Sequence, residues 1–282
     1  MRFDIVVGNP PYNNGMDLDF IDLGCKISNK YCCMIVPAKW QTKSDDACGC
    51  ASKNLDYAEF RKRWVHYISD VTFYPYSKDV FNIRTPDGVS YFLIGKEKQD
   101  TATVTNICNI NRHFNSSERR SILNRESLLN CGNSLVKYLG NYKVFQISDY
   151  DLNKRYKVFV TCMTADMRTC GICDPIGPTR IIDSIHEVDE VYMSDCIFSS
   201  DNKQECEYFI SWFKTRFTRF FLVMNISKLT RTATDDSFRF IPAPPGGKFD
   251  HVFTEQELYD YYKIPDKYIE IIESSVRDLI NK

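Results

Sequence analysis

No two glycines in the 282 residues are separated by a single residue. A Gly-x-Gly loop, which lets a backbone approach a bound cofactor closely, is therefore missing. No apolar run is long enough to span a bilayer. No signal peptide precedes the first apolar segment, so a cytoplasmic protein without membrane attachment is expected. Neither sign of charge dominates: 36 basic residues face 37 acidic ones, a formal net charge of -1. Overall charge therefore does not announce a nucleic-acid binder, and any basic surface must be local. Internal repeats and low-complexity tracts are absent as well.

What is present suits one large or two ordinary domains. Hydrophobic residues make up 43%, enough for a real core, and the 19 Phe and 17 Tyr belong mostly to it. The 12 cysteines read as reduced thiols. Cys32 and Cys33 sit in an apolar run as small hydrophobes. The one CxxC, Cys170 to Cys173, has no second CxxC or close His pair. Cys162 and His186 are the residues able to complete a zinc site there. A turn with free thiols is favoured, and no metal is expected.

The first hundred residues alternate. "FDIVVG" (3–8) predicts a strand, and 17–28 a helix on Phe20, Leu23 and Ile27. "YCCMIVP" (31–37) predicts a second strand, 55–64 a helix, and 70–76 and 89–96 two more strands. This is the pattern of a parallel α/β sheet. The last link is too short for a helix, so the fourth strand should enter antiparallel as a hairpin. Beyond residue 105 the pattern turns mixed. Residues 117–130 read as helical, 155–161 and 190–199 as β-like, and 205–225 as one helix with Phe209, Phe213, Phe217, Phe220 and Met224 on one face. Thr254 with Glu257 reads as a capping box, and Pro265 opens a second amphipathic helix.

The apolar run Ile5-Val6-Val7 ends at Gly8 and is followed by Asn9-Pro10-Pro11-Tyr12. Ligands of open α/β sheets bind at the ends of parallel strands. Two prolines fix this tip and remove two N–H donors. It therefore offers acceptors, the Asn9 side-chain carbonyl and the Pro10 backbone carbonyl. Together they can hold an exocyclic amine by both hydrogens, with Tyr12 flat against the ring that carries it. Holding the amine so aims its lone pair at an electrophile, which is catalysis by positioning. A plain turn is the alternative.

The stretch resembles the (Asp/Asn/Ser)-Pro-Pro-(Tyr/Phe/Trp) motif of amino-methyltransferases that use S-adenosylmethionine. Segments 30–43 and 55–96 resemble the following core of adenine-N6 DNA methyltransferases from type II restriction–modification systems. "FISWFKTRFTRFFL", "KLTRTATDDSFRFIPAP" and the 253–273 segment resemble their target-recognition region and tail. The resemblance covers most of the chain, least in 97–190. It implies site-specific methylation of a flipped adenine. Flipping costs a few kcal/mol. Stacking returns about 1–3 kcal/mol per base. Asn9 and Pro10 would hold N6, Tyr12 would stack, and Phe81 of "DVFNI" would close the other side of the base or support it, an ordinary core aromatic being the alternative. Lys39 and Trp40 are weaker candidates for DNA or cofactor contact, and a solvated loop is the favoured reading. From Ser211 to Arg231, Lys214, Arg216, Arg219, Lys228 and Arg231 are basic and no residue is acidic, which suggests phosphate contacts, with a solvated face as the alternative.

The chain departs from the family at the cofactor. A glycine-rich loop should precede Asn9, and no cofactor-binding residue can be assigned. The expectation is a C-terminal methyltransferase part: residues 1–104 carry the last strands of a partial Rossmann-like sheet, 105–245 a mixed α/β target-recognition domain, and 246–282 a helical tail. Duplex DNA is the expected partner, with a separate chain supplying the cofactor half, or self-association, at the open strand 3–8. A non-catalytic DNA-binding or specificity module is the alternative, and methylation of RNA or of a protein glutamine the third.

Overall fold

The computed structural model describes residues 2–12, 15–41, 57–74, 77–82, 88–108, 114–122, 124–151, 153–160, 179–184, 196–225 and 238–276. The chain is mixed α/β and divides into two compact units, one built on Met1–Arg125, the other on Glu126–Ala165 and Ile172–Lys282.

In the first unit, β1 (Phe3–Gly8), β2 (Ser28–Pro37), β3 (Ile68–Tyr74), β4 (Val89–Ile94), β5 (Ala102–Cys108) and β6 (Phe114–Arg120) form one sheet. Its order is β1-β2-β4-β3-β5-β6. β1 pairs parallel with β2, and β3 parallel with β5. β4 runs antiparallel to both β2 and β3. The expected antiparallel hairpin strand is present, and it lies between β2 and β3.

One face of this sheet carries the core. Cys32, Met34 and Val36 of β2, Phe92 and Ile94 of β4, and Val71 and Phe73 of β3 are all buried. Helix α1 (Met16–Ile27) packs on them through Leu18, Ile21 and Cys25. It can approach because Gly24 has no side chain: a Cβ there would lie 2.7 Å from Cys32 Sγ and from Met34 Cε. Helix α2 (Tyr57–Trp64) adds Phe60, whose ring stands edge-on to Trp40 at 5.9 Å. The opposite face leaves Phe3, Ile5, Val7, Tyr31 and Tyr91 exposed.

Two boundaries differ from expectation. The predicted break at 104/105 falls inside β5, and the sheet continues through β6, because β5 pairs with β3 over Asp70–Phe73. Residues 117–120, expected in a helix, instead belong to β6 and pair with Ala102–Thr105 of β5; the helix, α3, follows at Arg125–Leu139.

The second unit holds a three-stranded antiparallel sheet, β8-β7-β9, from β7 (Tyr156–Val160), β8 (Thr179–Asp183) and β9 (Cys196–Ser200). With α3 it also contains α4 (Lys203–Phe213), α5 (Arg216–Asn225), α6 (Glu255–Tyr261) and α7 (Asp266–Ser275). The expected tail, 246–282, is therefore part of this unit. The single helix expected over 205–225 is two. Thr215 ends α4 by donating its hydroxyl to the Trp212 carbonyl at 2.7 Å, and accepts the Thr218 N–H at 3.2 Å to start α5. An intrahelical threonine has become an N-cap. The aromatic stripe is core, as expected: Phe209, Phe213, Phe217, Phe220 and Met224 are buried. Phe209 stacks on Phe198 of β9 at 4.5 Å.

Candidate active site

β1, β2 and β3 point the same way, since β4 is antiparallel to β2 and β3 and β1 is parallel to β2. Their C-terminal ends share one edge of the sheet. Asn9–Tyr12 follow β1, Lys39 and Trp40 follow β2, and Phe81 follows β3.

At the tip of β1, Asn9 and Pro11 are exposed, Pro10 is buried and Tyr12 is half-buried. The Tyr12 hydroxyl donates to Asn9 Oδ1 at 2.5 Å. This contact folds the four residues into one turn and uses one of the two acceptor positions on Oδ1. The second acceptor position and the Pro10 carbonyl are acceptors on a tip from which the two prolines have removed two backbone donors. Gly15, at φ 80, turns the chain into α1, a backbone state that side chains disfavour.

Just behind the tip lies Asp17, in the first turn of α1 and 1% exposed. Neither carboxylate oxygen has a hydrogen-bond partner among the described residues. Burial pushes this carboxyl up from the usual range, against the opposing pull of the Lys39 ammonium. Burial first, and Asp17 second, also raise the phenol of Tyr12. The sequence offered no sign of this role, because an acidic residue in a first helical turn is ordinary. Lys39 is half-buried, with Nζ 5.8 Å from the centre of the Tyr57 ring.

Beside the tip an open groove of about 340 Å³ runs between β1 and α1, lined by Val6, Gly8, Asn9, Pro10, Phe20 and Leu23 among others. Its walls are almost wholly apolar. They present neither a glycine-rich loop nor a carboxylate to hold a ribose. This lining does not fit S-adenosylmethionine.

Asn9, Pro10, Pro11 and Tyr12 are thus brought together. Phe81 is half-buried, its N–H bonded to the Ser77 carbonyl at 2.7 Å. It stands at the same end of the sheet, but β3 lies three strand positions from β1. That is about 14 Å at the usual strand spacing. Trp40 is no loop residue: it is fully buried, and its indole N–H donates to Ser90 Oγ at 3.0 Å.

The basic run needs a larger correction. Arg219 is fully buried, and its Nε donates to the Lys214 carbonyl at 3.0 Å. Arg216 is 20% exposed and is paired with Glu273 at 3.2 Å and Glu255 at 3.8 Å. Both arginines serve the packing of the second unit, and neither offers a free cation to a phosphate. Lys214 is half-buried at the end of α4. Lys228 and Arg231 lie outside the described residues, as do Cys162, Cys170, Cys173 and His186. Among the described residues no three His, Cys, Asp or Glu side chains form a metal site. Cys25, Cys32, Cys33, Cys131, Cys196 and Cys206 are free thiols. No helix among the described residues is long and apolar enough to cross a membrane.

No protein-family model matches the chain, and a comparison with curated proteins finds no match.

Proposed function

We propose that the chain is the amine-holding part of an adenine-N6 DNA methyltransferase of restriction–modification type. The observation that carries this reading is the Asn9-Pro10-Pro11-Tyr12 turn at the C-terminal end of a parallel strand, with the tyrosine hydroxyl bonded to the asparagine carbonyl. The antiparallel β4 within the sheet supports it, matching the hairpin strand that the resemblance implies.

The tip acts on the amine alone. The remaining acceptor position of Asn9 Oδ1 takes one N6 hydrogen and the Pro10 carbonyl takes the other. Held by both, the nitrogen loses conjugation with the ring and directs its lone pair outward. Tyr12 supplies a face for the flipped base, worth about 1–3 kcal/mol. The methyl donor of the class, S-adenosylmethionine, has no matching residues here, so this chain alone neither binds it nor methylates. DNA as the substrate rests on the resemblance, and with Arg216 and Arg219 occupied, no residue is assigned to the phosphates. The missing glycine loop favours one other reading, a non-catalytic DNA-binding module.

The test supplies the chain with a separately expressed glycine-rich half from a methyltransferase of this class. Labelled S-adenosylmethionine is offered with DNA, RNA and protein, and the products are resolved by mass spectrometry. The reading expects N6-methyladenine in DNA only with both chains present. Label in protein or RNA alone overturns the DNA assignment. Tight calorimetric binding of S-adenosylmethionine by the single chain overturns the claim that its cofactor site lies elsewhere.

A further inference from the structure

β1 is the edge strand of its sheet: it pairs with β2, and no described strand pairs with its other side. An apolar strand left in this state is a template for pairing. Ile5 is 56% exposed and Val7 72%. Over the same edge, α1 carries a row of apolar side chains outside the set it buries against its sheet: Met16, Phe20, Leu23 and Ile27. Met16, Phe20 and Leu23 are exposed, and Phe20, Leu23 and Ile27 line the groove beside β1.

The row has a property that selects its occupant. Its spacing of four, three, four is the same read from either end. Two copies of α1 placed antiparallel about a two-fold axis therefore match Phe20 with Leu23 and Met16 with Ile27. The strand beneath sets the distance. Gly24 lies close to Val6 of β1 and to Cys32 and Met34 of β2, so α1 sits over that pair of strands. If two copies of β1 join at the ordinary strand spacing, the two α1 axes come about 10 Å apart. Packed helices lie 8–10 Å apart. Charge agrees. Asp19 and Lys26, both exposed, lie on the same flank of the row near opposite ends of α1. In the antiparallel pair, Asp19 of one copy comes within about two residues, roughly 3 Å along the axis, of Lys26 of the other.

We infer that the chain pairs with a second copy of itself, β1 against β1 in one continuous twelve-stranded sheet, with the two α1 helices packed side by side above the join. The inference does not depend on the methyl-transfer reading. It also gives that reading a consequence: a cofactor-bearing strand that joined β1 would compete with the dimer for the same edge.

Sedimentation equilibrium of the full chain from low to high micromolar concentration tests it. A reversible monomer–dimer equilibrium is expected. Phe20→Lys with Leu23→Lys places four ammonium groups in the seam and should raise the dissociation constant more than about 100-fold. The circular dichroism should not change, because both positions face solvent in the monomer. Asp19→Lys should weaken the dimer about fivefold, and Lys26→Asp added to it should restore the affinity. Amide hydrogen exchange gives a check without variants: Phe3–Gly8 should gain protection as concentration rises. A chain that stays monomeric overturns the inference and leaves the edge to a different partner. So does a dimer indifferent to the lysines, or open-ended aggregation in place of a closed pair.

Discussion

Glu255, at the start of α6, accepts the N–H groups of Arg216 at 2.6 Å and Phe217 at 3.2 Å. These are the first two residues of α5. A side chain from a distant helix thus caps α5 and faces the positive end of its dipole. Hydrogen bonds to a charged acceptor are worth about 1.5–3 kcal/mol each. The carboxylate, 16% exposed, gives back much of this in desolvation. Glu255→Ala leaves two buried N–H groups without an acceptor, and we expect a loss of about 3 kcal/mol. Glu255→Gln keeps one acceptor and removes the buried charge, so about 1 kcal/mol is expected. Burial raises the Glu255 carboxyl above its ordinary value of 4.5, against the pull of both N–H groups and of Arg216 and Arg219. The native state then holds this proton more tightly than the unfolded chain. Stability contributed by the group falls as pH rises from about 4.5 through the higher folded value, and Gln should flatten this slope. Urea unfolding followed by the fluorescence of Trp212, which is buried in the second unit, measures both effects. An alanine variant within about 0.5 kcal/mol of the parent would refute the capping role.

Arg219→Ala should destabilise the chain by about 3–5 kcal/mol, because it removes a fully buried cation that bonds the Lys214 carbonyl and offsets the buried charge of Glu255. It should leave unchanged the salt dependence of any DNA binding, and a flatter slope would return Arg219 to the DNA face. Trp40→Ala, which empties a fully buried site and removes the donor to Ser90 Oγ, should cost about 3–5 kcal/mol in thermal or urea unfolding; a near-neutral result would contradict its place in the core. His251 is bonded to Asp250 at 2.6 Å and Glu257 at 2.7 Å, and these carboxylates hold its pKa above the usual 6.5. Its stabilisation should be complete below pH 6.5 and lost as pH rises through the higher folded value. His251→Gln should abolish that dependence, and an imidazole titrating at or below 6.5 by NMR would contradict it.

The apolar runs at 3–8, 31–37, 70–76 and 89–96 were legible as strands because buried strands are made of consecutive apolar residues. β5 and β6 were not. Their sequences, ATVTNIC and FNSSERR, are rich in polar residues, and strand pairing rather than composition defines them. The Asn-Pro-Pro-Tyr tip was legible because proline and asparagine constrain their own turn. The basic run misled, since charge counted along a sequence does not say which face a residue takes. Arg216 is enclosed by partners that neighbouring sequence could not reveal, Glu255 and Glu273, and Arg219 is fully buried on a face that a charge count does not show. Asp17 went unnoticed for the same reason: its burial is a product of how α1 meets the sheet.

The central claim is that Asn9 holds the amine that receives the methyl group, and Asn9→Ala tests it most directly. In the assembly of this chain with a glycine-rich half, the rate of N6-methyladenine formation is measured beside retention of the same DNA on a filter. The account predicts a fall in methyl transfer of about 100-fold or more, the scale of removing one preorganised acceptor. DNA retention should stay within about twofold, since the contact acts mainly in the transition state. Methylation by Asn9→Ala at the parent rate would contradict the account.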